Sequence, residues 1–130
     1  MIRGIGVDAV YIPDLQRMLE TQSPIVSRLF TRRELAAAEE REHKVEYLAE
    51  RWAAKEAVFK AVAPAATNAR FDLRIVETLS DEDGSPYICL SDSLRPILSV
   101  ARIDTLHISL TAERDYATAF VIAEALSSAP

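Results

Sequence analysis

Cysteine is nearly missing: Cys89 is the one thiol in 130 residues. No internal disulfide can form, so the fold does not rest on the cross-links that hold small exported domains together. Long apolar runs are missing too, and nothing approaches the ~18 residues that a bilayer span requires. The opening MIRGIGVDAV meets Arg3 and Asp8 before any apolar stretch of export-signal length. The expectation is a cytoplasmic protein with no membrane insertion. Glycine occurs three times, too few for a glycine-rich phosphate loop or a dinucleotide fingerprint. His43 and His107 stand far apart beside the single cysteine, which gives no zinc cluster, and no nucleophile elbow marks a hydrolase. Positive charge is in deficit, 15 Lys and Arg against 20 Asp and Glu, and an isoelectric point near 5.0 argues against general nucleic-acid binding.

What is present suits one folded domain. Apolar residues make up 49% and charged residues 27%, which excludes disorder and low-complexity structure. We expect a single domain over residues 1–126, with 127–130 as a loose tail. Residues 2–11 alternate as a strand with Asp8 on the face opposite Val7. Pro13 and Asp14 can open a short helix, residues 25–30 form an apolar turn, and Thr31 with Glu34 is a capping box for a helix running through Glu39, Glu40 and Glu42. The clearest element is residues 45–62, where Val45, Leu48, Trp52, Phe59 and Val62 recur at helical spacing. Pro64 ends it before a small-residue loop, 65–69. Strands are expected at 71–75 and 86–91 around Asp83-Gly84, a helix at 91–103, and strands at 106–110 and 116–123. The order βαααββαββ reads as an α+β fold, a mainly antiparallel sheet packed against one long helix and shorter ones.

Chemistry concentrates on the long helix. Glu56 lies four residues after Trp52 and three before Phe59, so a carboxylate interrupts the apolar stripe and needs a metal, a cation or water. A plain i,i+4 ion pair with Lys60 is the alternative. Lysine is the exception in this chain, three against twelve arginines, yet Lys55 and Lys60 both flank Glu56. A compact ammonium suits a phosphate or a proton transfer. Asp8 follows Gly4 and Gly6, which let a backbone or a ligand approach the strand closely. Paired with Glu56 it would make the two-carboxylate oxygen site that Mg²⁺ uses when phosphates and waters complete its shell. Arg17, Arg28, Arg32 and Arg33 face a single acid, Glu20, across residues 17–33. That local excess can receive an acidic partner, or it can be a solvated surface paired with Glu20 and Glu34.

GIGVDAV with Asp8 and RWAAKEAVFKA over residues 51–61, which meets the pattern WxxKExxxK, resemble the 4′-phosphopantetheinyl transferase superfamily, in its short single-domain form. The likeness runs nearly end to end, through Phe30 to Glu34, the DGSPY segment and His107 to Thr111. It implies transfer of phosphopantetheine from coenzyme A to a serine of apo acyl carrier protein. Asp8 and Glu56 would then be Mg²⁺ ligands, and Lys60 a general acid or base beside the pyrophosphate. Arg51, Lys55 and Ser109 would help hold coenzyme A, and Arg17, Arg28, Arg32 and Arg33 would meet the carrier protein. The resemblance also implies a homotrimer with sites between subunits. The chain departs from the family pattern twice: residues 62–68 contain no glycine, and Ala112 stands where a histidine is common. Those departures motivate an alternative, a catalytically impaired paralogue that binds carrier protein without modifying it.

Overall fold

The computed structural model describes residues 1–63 and 72–126. The loop expected after Pro64, Phe71 and the tail 127–130 lie outside them. β1 (Ile2–Tyr11), β4 (Thr105–Glu113) and β5 (Tyr116–Glu124) form an antiparallel sheet in the order β1-β5-β4, in which Asp8 pairs with Ala119 and Ser109 with Phe120. Strand alternation gives this sheet two unlike faces. Ala117, Ala119, Val121 and Ala123 are buried beneath α4 (Lys44–Val62), while Ile5, Val7, Tyr116 and Phe120 stand half exposed on the outer face.

Close packing of α4 on the sheet depends on small residues. A Cβ on Gly4 would lie 1.8 Å from the Ala61 carbonyl oxygen, and one on Gly6 would lie 1.8 Å from that of Ala57. The glycines therefore admit the helix backbone rather than a ligand, the first of the two uses expected for them. The next inward residue of β1 is Asp8, and the preceding turn of α4 carries Glu56. The apolar stripe expected on α4 is accordingly corrected. Ala49, Ala53, Ala54, Ala57 and Ala61 are fully buried along with Leu48, Val58 and Val62, whereas Trp52, Glu56 and Phe59 run along a half-buried flank. Alanine carries little weight in a periodicity reading, yet only alanine lets both sides of the helix be covered.

Three shorter helices precede α4: α1 (Ile12–Glu20), α2 (Val26–Leu29) and α3 (Arg32–Glu39). The expected turn at 25–30 is one turn of helix, α2. The capping box is present, with the Glu34 amide donating to Thr31 Oγ1 at 3.2 Å and the Thr31 amide donating to Glu34 Oε1 at 2.8 Å. Helix α3 stops at Glu39, short of the expected Glu42, with Glu40 at its C-cap and no base in its last turn. The strand expected at 71–75 is also corrected. Leu73–Ile75 is a 3-10 turn capped by the Asp72 carboxylate, which accepts from the Arg74 amide at 2.9 Å. The hairpin follows as β2 (Thr78–Ser80) and β3 (Pro86–Ile88), turned at Asp81, whose carboxylate accepts from the Asp83 and Ser85 amides, with Gly84 at φ +84°. Pro96 stands in the first turn of α5 (Arg95–Val100), where its missing N–H costs nothing.

Candidate active site

Asp8 and Glu56 line one cleft of about 270 Å³, together with Ala9, Val10, Tyr11, Asp14 and Trp52. Lys60, one turn beyond Glu56, reaches across to β1. Its Nζ donates to Asp8 Oδ1 at 3.0 Å and to the Val7 carbonyl at 3.1 Å. The Lys60–Glu56 ion pair weighed as the plain alternative is therefore not formed. The Glu56 carboxylate has no hydrogen-bond or ion-pair partner among the described residues. Two carboxylates and one ammonium thus converge from β1 and α4 at a solvent-accessible mouth.

Lys55 is placed elsewhere, which corrects its expected contact with coenzyme A. Its side chain is 0% exposed, and its Nζ donates to Glu34 Oε2 at 2.7 Å and to the carbonyls of Val76 and Leu73 at 2.9 and 3.1 Å. All three protons are engaged. Burial pulls its pKa below the usual lysine range, opposed by the Glu34 charge. The same carboxylate accepts from the Thr78 amide at 2.9 Å and closes the capping box, so Glu34 ties α3, α4 and the 72–78 segment together.

Arg51 is also buried. Its guanidinium lies 3.7 Å over the Tyr47 ring, its Nη2 donates to Ser80 Oγ, and the Glu50 carboxylate is 3.9 Å away. Burial lowers its pKa from the arginine range. Arg51 Nε and the Tyr47 hydroxyl are buried with no well-formed hydrogen bond among the described residues. Both residues border a cleft of about 190 Å³ with Arg41, Glu50, Ser80 and Pro86. Ser109 lies on the outer face of the sheet, in register with Phe120 and away from α4. It therefore faces away from the Asp8–Glu56 cleft of its own chain. His107 shares this face and meets Glu124 at 2.9 Å.

Residues 4–121 match the model of the ACPS family, described as the 4′-phosphopantetheinyl transferase superfamily. The chain belongs to this superfamily. It is 38% identical over 130 residues to the holo-[acyl-carrier-protein] synthase of Halalkalibacterium halodurans, covering 98% of this chain and 100% of that one. The acyl carrier protein synthase structure of Mycobacterium tuberculosis is 36% identical, with a TM-score of 0.75 over 96% of this chain and 99% of that one. The ACPS–CoA complex of Chronobacterium ammoniagenes is 29% identical, with a TM-score of 0.82 over 95% of this chain and 98% of that one.

The superfamily frame makes the donor set at the cleft testable against a metal. Asp8 and Glu56 offer hard carboxylate oxygens, those of Glu56 unpartnered among the described residues, and suit a cation that keeps water and takes the rest of its shell from phosphates. Among the described residues no group of three or more His, Cys, Asp or Glu is arranged to hold a metal by itself. The four arginines of the basic segment divide between α1, α2 and the first turn of α3. Arg17 is 72% exposed and sits 3.7 Å from Asp14, and Arg33 is 3.2 Å from Glu77. Their partners are thus not the expected Glu20 and Glu34, since Gln16 donates to Glu20 and Lys55 occupies Glu34. Arg28 and Arg32 are exposed. Tyr11, Asp14, Tyr47 and Ser80 were not singled out by sequence reasoning as site residues. Only Tyr47, four residues before Arg51 on the same helix, carried a sequence signal that could have found it.

Proposed function

We propose that this chain is a holo-[acyl-carrier-protein] synthase. It moves the 4′-phosphopantetheine group of coenzyme A to a serine hydroxyl of apo acyl carrier protein. The serine oxygen bonds to the phosphorus that carries pantetheine, the pyrophosphate bond breaks, the serine proton is lost, and adenosine 3′,5′-bisphosphate leaves. The observation that carries this reading is that Asp8 and Glu56 line one cleft while Lys60 donates to Asp8. The reaction needs positioning and charge neutralisation more than covalent chemistry. Asp8 and Glu56 would hold Mg²⁺, which when bound supplies neutralising charge to the pyrophosphate. Lys60 can release Asp8, because an exposed ion pair is worth about 0–1 kcal/mol, and beside the pyrophosphate it then serves as proton donor in its ammonium form or as proton acceptor in its neutral amine form. Arg51, packed against Tyr47 at the edge of the neighbouring cleft, would help hold the donor nucleotide.

Assembly as a homotrimer is part of the same reading. The outer sheet face presents Ile5, Val7, Tyr11, Tyr116 and Phe120, each between 41% and 56% exposed, a contiguous apolar surface that a second copy would cover. The compartment is the cytoplasm, where donor and carrier would be available. A second reading is favoured by Ala112, a small apolar residue opposite Ala117 on the inner face of β4: a paralogue that binds carrier protein without modifying it. Incubation with apo carrier protein, coenzyme A and Mg²⁺, followed by mass spectrometry of the carrier, separates the two. The synthase gives a carrier heavier by one phosphopantetheine, and an unmodified carrier beside a folded, assembled protein supports the paralogue.

A further inference from the structure

Glu50 is a half-buried carboxylate that the transfer chemistry leaves unused. It lines the cleft of about 190 Å³ that holds Arg51, and also a neighbouring cleft of about 260 Å³ formed with Glu42, His43 and Glu46. Its Oε1 lies 3.9 Å from Arg51 Nη1, and the two side chains are only 22% and 5% exposed. Arg41 borders both clefts from the segment before α4, and Arg41 and Arg51 both lie over the Tyr47 ring, at 4.7 and 3.7 Å. The hairpin and β4 contribute Ser80, Gly84, Pro86 and Leu110, none of which titrates. A recess that two guanidiniums suit to an anion is therefore already supplied with an internal one.

We infer that Glu50 is an internal counter-ion that a phosphate of the donor nucleotide displaces from Arg51, and that it takes up a proton as it yields. The inference rests on the proposed function, which puts the donor nucleotide at Arg51. A phosphate there and an ionised Glu50 compete for one guanidinium at short range, where burial strengthens the repulsion between them. Protonation resolves the conflict, because a neutral carboxyl neither claims the cation nor repels the anion. Burial already raises the Glu50 pKa above the usual carboxylate range, with the Arg51 charge opposing, Glu46 adding and Arg41 opposing. A bound phosphate pushes in the same direction as burial, so the complex holds more protons than the free protein. Donor affinity therefore rises as pH falls through the window between the free and the bound values of Glu50, and Glu50 adds no pH dependence outside that window.

The test compares wild type with Glu50→Gln in calorimetric titrations of adenosine 3′,5′-bisphosphate, from about pH 5.5 to about pH 8. Each titration is run in two buffers of different ionisation enthalpy, which counts the protons taken up on binding. His43, Glu46 and the phosphates titrate in both proteins, so the difference between the two belongs to Glu50. At about pH 8 Glu50→Gln should bind the bisphosphate about three- to tenfold more tightly. The two affinities should converge as pH falls, and wild type alone should show the extra proton uptake between. Weaker binding by Glu50→Gln across the range would make Glu50 a direct acceptor for a ribose hydroxyl or the adenine amine, and would overturn the inference. Equal affinity and equal uptake at every pH would also overturn it, leaving Glu50 and Arg51 a structural pair whatever the variant does to the melting temperature. Failure of both proteins to bind the bisphosphate would remove the nucleotide from Arg51 and overturn it as well. If wild type binds the bisphosphate but modifies no carrier, the proposed transfer fails, and the titrations still decide the role of Glu50.

Discussion

Helix α4 carries two lysine–carboxylate pairs less than two turns apart, and they differ in everything except composition. Lys55 and Glu34 are both 0% exposed at 2.7 Å, in a pocket where two carbonyls complete the ammonium. Lys60 and Asp8 are 52% and 21% exposed at 3.0 Å, at the mouth of a cleft. A buried pair cannot exchange partners without leaving a charge in low dielectric, so it fixes structure. An exposed pair opens freely, so its members are available to substrate. Burial, rather than motif membership, separates the pair locked in the interior from the pair open to solvent, although both lysines belong to the same WxxKExxxK pattern.

The comparison breaks most visibly at the interior pair. Lys55→Met alone should leave the Glu34 charge uncompensated and cost about 3–5 kcal/mol, read as a large loss of Tm or as failure to fold. Adding Glu34→Leu should recover part of that loss. The remainder reflects the Thr31 and Thr78 amides, which lose their acceptor. At the cleft the effect moves from stability to rate. Glu56→Gln and Lys60→Gln should each lower kcat by about 10²-fold or more while Tm changes by less than about 1 kcal/mol in equivalent stability. Glu56→Gln should also abolish Mg²⁺ dependence, and retained Mg²⁺-dependent turnover would move the ligands elsewhere.

Smaller effects sharpen the same division at the surface. Reversal of Arg17 and Arg28 to Glu should raise the carrier-protein KM about tenfold, equivalent to about 1.4 kcal/mol. The effect should be weaker at high salt, and kinetics at two ionic strengths would check it. The smallest effect belongs to Glu50, whose pKa is raised chiefly by burial, with the Arg51 charge opposing. A raised carboxylate pKa means that the folded state holds its proton more tightly than the unfolded chain. Its contribution to stability is present below the ordinary carboxylate range and is lost as pH rises through the folded value. Glu50→Gln should therefore raise Tm slightly at pH 7 and lose that advantage as pH falls below the range of free glutamate, as melting curves across pH 4 to 7 (about that span) would show.

Local signals carried much of this into the sequence. The capping box at Thr31 and Glu34, the alternation of β1, β4 and β5, and the long helix were all readable, because each depends on neighbours within one turn or on strict alternation. The strand expected at 71–75 failed for the same reason: the Asp72 cap on Arg74 outweighs the alternation of Leu73 and Ile75. Asp8, Glu56 and Lys60 were legible as a set once glycines on the strand suggested a close approach. What the sequence hid was depth. Nothing in the spacing of Lys55 announces a partner twenty-one residues upstream, and Glu34 is fully explained as a cap until its second oxygen is seen to hold the ammonium. The face that carries Ser109 was hidden as well, because a strand period assigns faces only after one face is known to be inner.

The most direct measurement sets the two lysines side by side, with transfer kinetics and thermal melting on Lys60→Gln and on the Lys55→Met, Glu34→Leu double variant. The account predicts that Lys60→Gln melts like wild type and loses turnover, while the double variant melts lower and, in its folded fraction, keeps the coenzyme A KM within about threefold. A double variant of wild-type Tm whose coenzyme A KM rises tenfold or more, beside a Lys60→Gln enzyme of undiminished kcat, would contradict it.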